Sequence, residues 1–137
     1  MRLLIWHVSH FASTPGQRGR SPVADAEPWP VEMQEGLLVF AAAEPEDEAD
    51  PAATGLRAAE VVARLAAQVK VQRVVLHSFA HLFGELGRPE AARAALDAAQ
   101  HQLQAQGFTC WQTPFGWFNA LDIQAKGHPL SRVSRIV

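Results

Sequence analysis

Several function classes are excluded by what this chain lacks. A single cysteine, Cys110, rules out an intramolecular disulfide and any cysteine-based zinc cluster, and it points to a reduced, cytoplasmic setting. There is no surplus of positive charge. Twelve Lys and Arg against 14 Asp and Glu leave a net charge of −2, which excludes coating of nucleic acid by a basic face and leaves room for a narrow contact with an RNA end. Long hydrophobic runs are missing too: Met1-Arg2-Leu3-Leu4-Ile5-Trp6 breaks at His7 and Ser9, too short for a signal-peptide core or a membrane span, so no membrane partner is expected. No Walker or Rossmann glycine loop occurs, and Ser9, Ser21 and Ser78 lie in no G-x-S-x-G elbow.

What remains is ordinary globular composition. The 137 residues, 48% hydrophobic and 19% charged, fit one domain around one core, residues 1–137. Only the acidic run at residues 44–50 looks locally unfoldable. By contrast, Lys126, Arg132 and Arg135, opposed by Asp122 alone, make the tail net positive; it faces either phosphate or solvent.

Arg2 to Val8 reads as a buried first strand. Phe11 to Met33, with Pro15, Gly16, Gly19, Pro22, Pro28 and Pro30, reads as a long loop. Gly36 to Ala43 is a second buried strand. Thr54 is an N-cap candidate for a helix to Val69, with Leu56, Ala59, Val62, Ala63, Ala66 and Val69 on its apolar face. Arg73 to His77 is a third strand. Pro89 opens and Gly107 closes a second helix. Phe108–Gln112, Phe118–Ala125 and Val133–Val137 are further strands. The order predicts an α/β or α+β class, a mixed β-sheet covered by two main helices.

Residues chosen for chemistry concentrate between Leu76 and Arg135. His77 and His81, with His7 and His128, suggest zinc by type, but His77 and His81 straddle a strand end and no HExxH accompanies them, so no metal and no cofactor is expected. His81 then reads as a polar site residue, and Cys110, mid-strand, as packed. Pro114 and Gly116 bracket Phe115, Trp117 and Phe118, so either these are core aromatics or a sharp turn offers main-chain donors to a ligand.

Phe79-Ala80-His81-Leu82 with Glu85-Leu86, Gly107-Phe108, Pro114-Phe115-Gly116, and Lys126-Gly127-His128-Pro129-Leu130 with Ser134-Arg135 stand in an order and spacing that resembles the N-terminal editing domain of archaeal-type threonyl-tRNA synthetases, which has the D-aminoacyl-tRNA deacylase-like fold. Weaker echoes are Met1-Arg2 with His7, and Leu38 to Glu44. The resemblance implies hydrolysis of the ester joining serine wrongly to threonine tRNA. Its partners would be the tRNA 3′ end, a second copy in a homodimer, and a threonyl-tRNA synthetase. It implies main-chain groups of Ala80 and Phe118 holding the amino acid and Ala43 and Phe115 as pocket wall. His81 would stand beside the terminal adenosine, whose 2′-hydroxyl assists water. His7, Phe79, Gly116, Trp117, Lys126 and His128 complete the implied substrate-binding set, around one pocket built from all three turns.

Two positions depart from the family pattern. Asn119 replaces a lysine and Arg132 a glutamate, so the implied catalytic set is His81, Asn119 and Arg132. An amide orients water without taking its proton, and Arg132 is placed to clamp phosphate or ribose. The exchange also leaves open a non-catalytic or altered-specificity module that binds aminoacyl-adenosine or another small ligand. The chain ends at Val137, close to where the resemblance ends, which implies an excised domain or a freestanding editor acting in trans.

Overall fold

The computed structural model describes residues 1–82 and 84–137. Seven strands form one mixed sheet, with two helices on one face: β1 Arg2–Arg18, β2 Val31–Met33, β3 Gly36–Ala42, α1 Pro51–Val69, β4 Arg73–Ser78, α2 Pro89–Ala105, β5 Thr109–Gln112, β6 Trp117–Ala125 and β7 Arg132–Ile136. This is the α+β class expected.

β1 is the axis of the sheet. Its first half pairs antiparallel with β3 on one edge (Leu3↔Ala41, Ile5↔Val39) and with β7 on the other (Leu3↔Arg135). Its second half pairs with β2 (Phe11↔Met33) and β6 (Phe11↔Ile123), with register shifts at Val8/His10 and Pro15/Arg18. The loop expected from Phe11 to Met33 is therefore half strand. Past Ser13, β1 has only β6 as a neighbour, and an edge position with a bulge tolerates Pro15 and Gly16, the residues that made this stretch look like a loop. β3, β4 and β5 run parallel to one another.

Alternation decides which residues meet the helices. Leu3, Ile5, Leu37, Val39, Ala41, Val74 and Leu76 form one core cluster with Ala58, Ala59, Val62, Leu65 and Ala66 of α1 and Ala95, Leu96, Ala99 and Leu103 of α2. Val8, Phe11, Val31, Met33, Leu38, Phe40 and Val75 form a second cluster. In α1 the stripe differs from the sequence reading: Leu56 is 45% exposed while Leu65 is buried. The face turned to the core runs through Gly55, Ala58, Ala59, Val62, Leu65 and Ala66, one position round from the one expected, and the helix start differs too. α1 begins at Pro51 with Asp50 as cap, its carboxylate accepting the Ala53 N–H at 2.9 Å, and Thr54 is buried inside the first turns. Gly55 lets α1 approach α2, since a Cβ there would lie 2.3 Å from the Ala95 carbonyl oxygen.

The acidic run is folded, contrary to its composition. Pro45–Ala49 is a 3-10 turn whose Asp47, 4% exposed, accepts from the Met1 ammonium at 2.9 Å. Asp47 also accepts from the Thr54 hydroxyl at 3.3 Å. Burying this carboxylate is tolerable because a full positive charge faces it.

Candidate functional site

A cavity of about 390 Å³ opens at the carboxyl ends of β3 and β4, large enough for a small ligand. Ala41 and Ala42 end β3 and Ala43 follows it, all three lining the cavity with small side chains. The parallel ladder continues one step beyond β4, where the Phe79 N–H donates to the Ala41 carbonyl at 2.9 Å. The chain then leaves the sheet, with Ala80 and His81 exposed. It returns where the Gly87 N–H donates to the Ala43 carbonyl at 2.9 Å. Arg88 fixes the return: its N–H and Nε–H donate to the two oxygens of Glu48 at 2.7 and 2.8 Å. Those bonds hold the Glu48 carboxyl below its ordinary range.

The facing wall is the turn Pro114-Phe115-Gly116, with Trp117, Phe118 and Asn119 after it. Phe115 is 5% exposed. Its placement depends on Asp25, a residue the sequence left as one more loop position. The Phe115 N–H donates to the Asp25 carboxylate at 2.7 Å, the Asp25 N–H to the Phe115 carbonyl at 3.0 Å, and the Trp117 indole N–H to the Asp25 carbonyl at 2.8 Å. Arg93 of α2 completes the hub, donating to Asp25 at 2.8 Å and lying 5.8 Å from the Phe115 ring centre. Gly116 adopts φ +76°, the left-handed region that glycine favours, and a Cβ there would lie 2.6 Å from the Ala24 Cβ.

Among the described residues the ionisable side chains lining the cavity are Arg20, His77 and His81; no carboxylate lines it. His77 was missed as a site residue because it reads as the end of a buried strand. It is 7% exposed, and its Nδ1 bonds the Thr113 hydroxyl at 2.8 Å. Burial lowers its pKa to about 4, so it is neutral at pH 7. Asn119 reaches the cavity wall, but its amide donates to the Trp117 carbonyl at 3.0 Å and its oxygen is buried without a partner. Cys110 is packed as expected, 4% exposed, with burial pushing its thiol up to about 12.

The third turn lies elsewhere. His7, Lys126 and His128 gather beside Glu35: His7 Nδ1 is 2.8 Å from His128 Nε2, His7 Nε2 is 3.2 Å from Glu35 Oε1, and Lys126 pairs with the same carboxylate. His7 pairs with Leu37 in the sheet, at the opposite end of β3 from Ala41, about 13 Å away at strand rise. Burial first, and Lys126 second, hold the His7 pKa below its usual value. Arg132 is exposed on β7, its guanidinium 5.7 Å from the Trp6 ring centre. The structure thus brings Ala43, Phe79, Ala80, His81, Phe115, Gly116, Trp117, Phe118 and Asn119 to one cavity, and does not bring His7, Lys126, His128 or Arg132 to it. The single pocket built from three turns is corrected to a pocket built from two.

Comparison with known proteins adds lineage to this geometry. The family model of the archaea-specific editing domain of threonyl-tRNA synthetase matches residues 1–137. Threonine–tRNA ligase of Methanoregula boonei is 36% identical over 137 residues, covering 100% of this chain and 22% of that protein. The enzyme of Methanocaldococcus jannaschii is 34% identical over 135 residues, covering 98% of this chain and 22% of its own length. The chain thus spans about a fifth of the curated relatives it matches. A solved structure of c-Myc DNA Unwinding Element Binding Protein superposes with a TM-score of 0.67 at 14% identity, covering 100% of this chain and 99% of that one. At that identity the likeness is one of fold.

Proposed function

The chain belongs to the archaea-specific editing domain family of threonyl-tRNA synthetase, and from that premise we propose that it hydrolyses the ester of a mischarged tRNA, seryl-tRNA(Thr), acting in trans. The observation that carries the proposal is the small cavity on which Phe79–His81 and Phe115–Phe118 converge. A pocket selecting threonine rejects serine weakly, since one methyl is worth about 1–3 kcal/mol, so a second sieve that excludes the methyl is required. Phe115, held from behind by Asp25 and Arg93, suits that role because its wall cannot retreat without breaking an ion pair.

In the reaction water adds to the ester carbonyl, the carbonyl–ribose oxygen bond breaks, and the ribose oxygen leaves with a proton. The substrate's free ribose hydroxyl lies next to the reacting carbon and assists the water. Ala80 and Phe118 offer main-chain groups to the amino acid, His81 stands at the mouth beside the adenosine, and neutral His77 offers a ring nitrogen inside the cavity. Asn119 is tied back to Trp117 and Arg132 lies off the cavity, so rate enhancement would rest on fixed dipoles and the substrate's hydroxyl. Labelled seryl-tRNA(Thr), threonyl-tRNA(Thr) and a panel of other L- and D-aminoacyl-tRNAs test this. Preferential cleavage of the seryl ester is expected, and no ester cleaved faster than in buffer would refute it.

The position of Asn119 and Arg132 favours one second reading, a module that binds the aminoacyl-adenosine end without turnover. Calorimetry with a non-hydrolysable seryl-adenosine analogue separates the two, binding without cleavage favouring the module. The same reading of the family carries a cytoplasmic homodimer working beside a threonyl-tRNA synthetase. Ile136, 70% exposed on the outer edge of β7, is a natural part of a subunit contact, and sedimentation of wild type against Ile136→Asp tests it.

A further inference from the structure

We propose that Arg20 and Phe118 form a subsite on the cavity rim for the single-stranded RNA immediately upstream of the terminal nucleoside, Arg20 holding a phosphodiester and the Phe118 ring stacking a base. The inference rests on the editing reading for the identity of the strand, and on independent observations for the site.

Arg20 lines the cavity and is exposed. Other arginines are engaged within the protein: Arg2 with Glu44, Arg88 with Glu48, Arg93 with Asp25 and Asp97. Among the described residues the guanidinium groups of Arg20, Arg64 and Arg132 make neither an ion pair nor a hydrogen bond, and Arg64 on α1 and Arg132 on β7, over the Trp6 ring, lie outside this cavity. Arg18, two residues before Arg20, has only a 3.4 Å contact to the Ala24 carbonyl. The rim therefore carries uncompensated positive charge in a protein whose net charge is −2. With no carboxylate among the described residues lining the cavity, that charge attracts an anion.

Phe118 is the second component. It is 66% exposed, in a chain that buries Phe11, Phe40 and Phe115. A Cβ placed on Gly19 would lie 3.9 Å from the Phe118 ring, so the ring abuts the residue before Arg20. An exposed aromatic face beside a free guanidinium is the combination that binds single-stranded nucleic acid, by base stacking and phosphate contact together. A guanidinium suits the phosphate because its planar N–H groups match two oxygens at once. The rim is also ordered before binding. The Gly19 N–H donates to the Gly116 carbonyl at 2.7 Å, and Asp25 ties the same loop to Phe115, so little entropy is lost when the strand docks.

The test is fluorescence anisotropy of a short labelled single-stranded RNA ending in CCA, titrated with the 137-residue chain across a range of KCl. Arg20→Gln should weaken binding and reduce the slope of log affinity against log salt by about 0.7, the value for one phosphate contact on a single strand. Arg20→Lys should keep that slope. Phe118→Ala should weaken binding about tenfold with the slope unchanged, as loss of stacking requires. Arg64→Gln should change neither. Absence of RNA binding by the wild type, or an unchanged slope in Arg20→Gln, overturns the proposal. An Arg20-dependent slope in a protein that cleaves no charged tRNA would leave the subsite standing and remove the editing reading; cleavage indifferent to Arg20 and Phe118 would do the reverse.

Discussion

His77 on β4 and His7 on β1 are both buried histidines, 7% and 4% exposed, set against different halves of β3, at Phe40 and Leu37. His7 is enclosed by its own protein. In the neutral state His128 donates from Nε2 to His7 Nδ1, and His7 donates from Nε2 to Glu35, whose carboxyl the Lys126 contact holds below its usual range. Both ring nitrogens of His7, the buried member of that cluster, have partners within the chain, so neither is left over for a ligand. His77 has the Thr113 hydroxyl on one nitrogen, aromatic rings of Phe40 and Phe79 on its flanks, and a cavity in front. One cluster clasps a turn to the sheet, whereas the other end leaves polar groups facing open space. The residue types are alike, and it is unspent hydrogen-bonding capacity that separates a site from a clasp.

The comparison breaks most severely at Gly116. Gly116→Val would force a β-branched residue to φ +76° with its Cβ 2.6 Å from the Ala24 Cβ, at a cost of about 3–4 kcal/mol. Chemical denaturation should show that loss together with the loss of any ester cleavage. Valine at Gly127, where a Cβ meets nothing within 4 Å, should cost far less and leave the cavity unchanged.

His77 gives the next largest effect, through pH. Its folded pKa of about 4 lies below the ordinary 6.5, so between those values the unfolded chain binds the extra proton. Stability from this residue is therefore complete above pH 6.5 and falls as pH drops towards 4, by about 3 kcal/mol at the limit. Urea midpoints of wild type relative to His77→Gln should converge over that window. Parallel curves would place the titrating groups elsewhere. His7 should contribute less in the same direction.

Asp25→Asn sharpens the comparison further. The amide still accepts the Phe115 N–H but no longer pairs with Arg93, and the half-buried pair makes the cost about 1–2 kcal/mol. If Phe115 is the wall that excludes threonine, this variant should narrow the ratio of seryl to threonyl ester cleavage by more than it lowers seryl cleavage. Equal loss on both esters would assign Asp25 to stability alone.

Much of this was legible in the chain. The two helices, the buried strands from Leu37 and Val74, and the Pro114–Gly116 turn all follow from periodicity and turn chemistry, because each is decided within a dozen residues. The second half of β1 was not, since Pro15 and Gly16 look like loop residues until a bulged pairing with β6 is known. Asp47 looked solvated because its partner, the Met1 ammonium, is 46 positions away. Asp25 was invisible for a like reason: its bond to Phe115 joins residues 90 apart. The third turn was misplaced because order along the chain says nothing about which end of a strand a turn returns to; the sequence placed His128 near His81, and the register of β1 against β3 and β6 separates them.

The smallest expected effect is the most discriminating. His128→Ala removes the imidazole that donates to His7, yet the turn it belongs to stays held by main chain: the His7 N–H donates to the Ser131 carbonyl, the Lys126 N–H to the His7 carbonyl and the Ser131 N–H to the His128 carbonyl, each at 2.9 Å. Glu35 keeps Lys126 and the other nitrogen of His7. The loss should therefore be about 1 kcal/mol or less, the value of one hydrogen bond at a partly exposed position. Ester cleavage and RNA binding should match wild type within twofold, because nothing in the clasp reaches the cavity. A tenfold fall in kcat with unchanged stability would mean that this end of the sheet meets substrate after all, which within one chain the register of β1 forbids. The only geometry able to rescue such a role is a second copy delivering His128 to its partner's cavity, and the decrease would then depend on protein concentration.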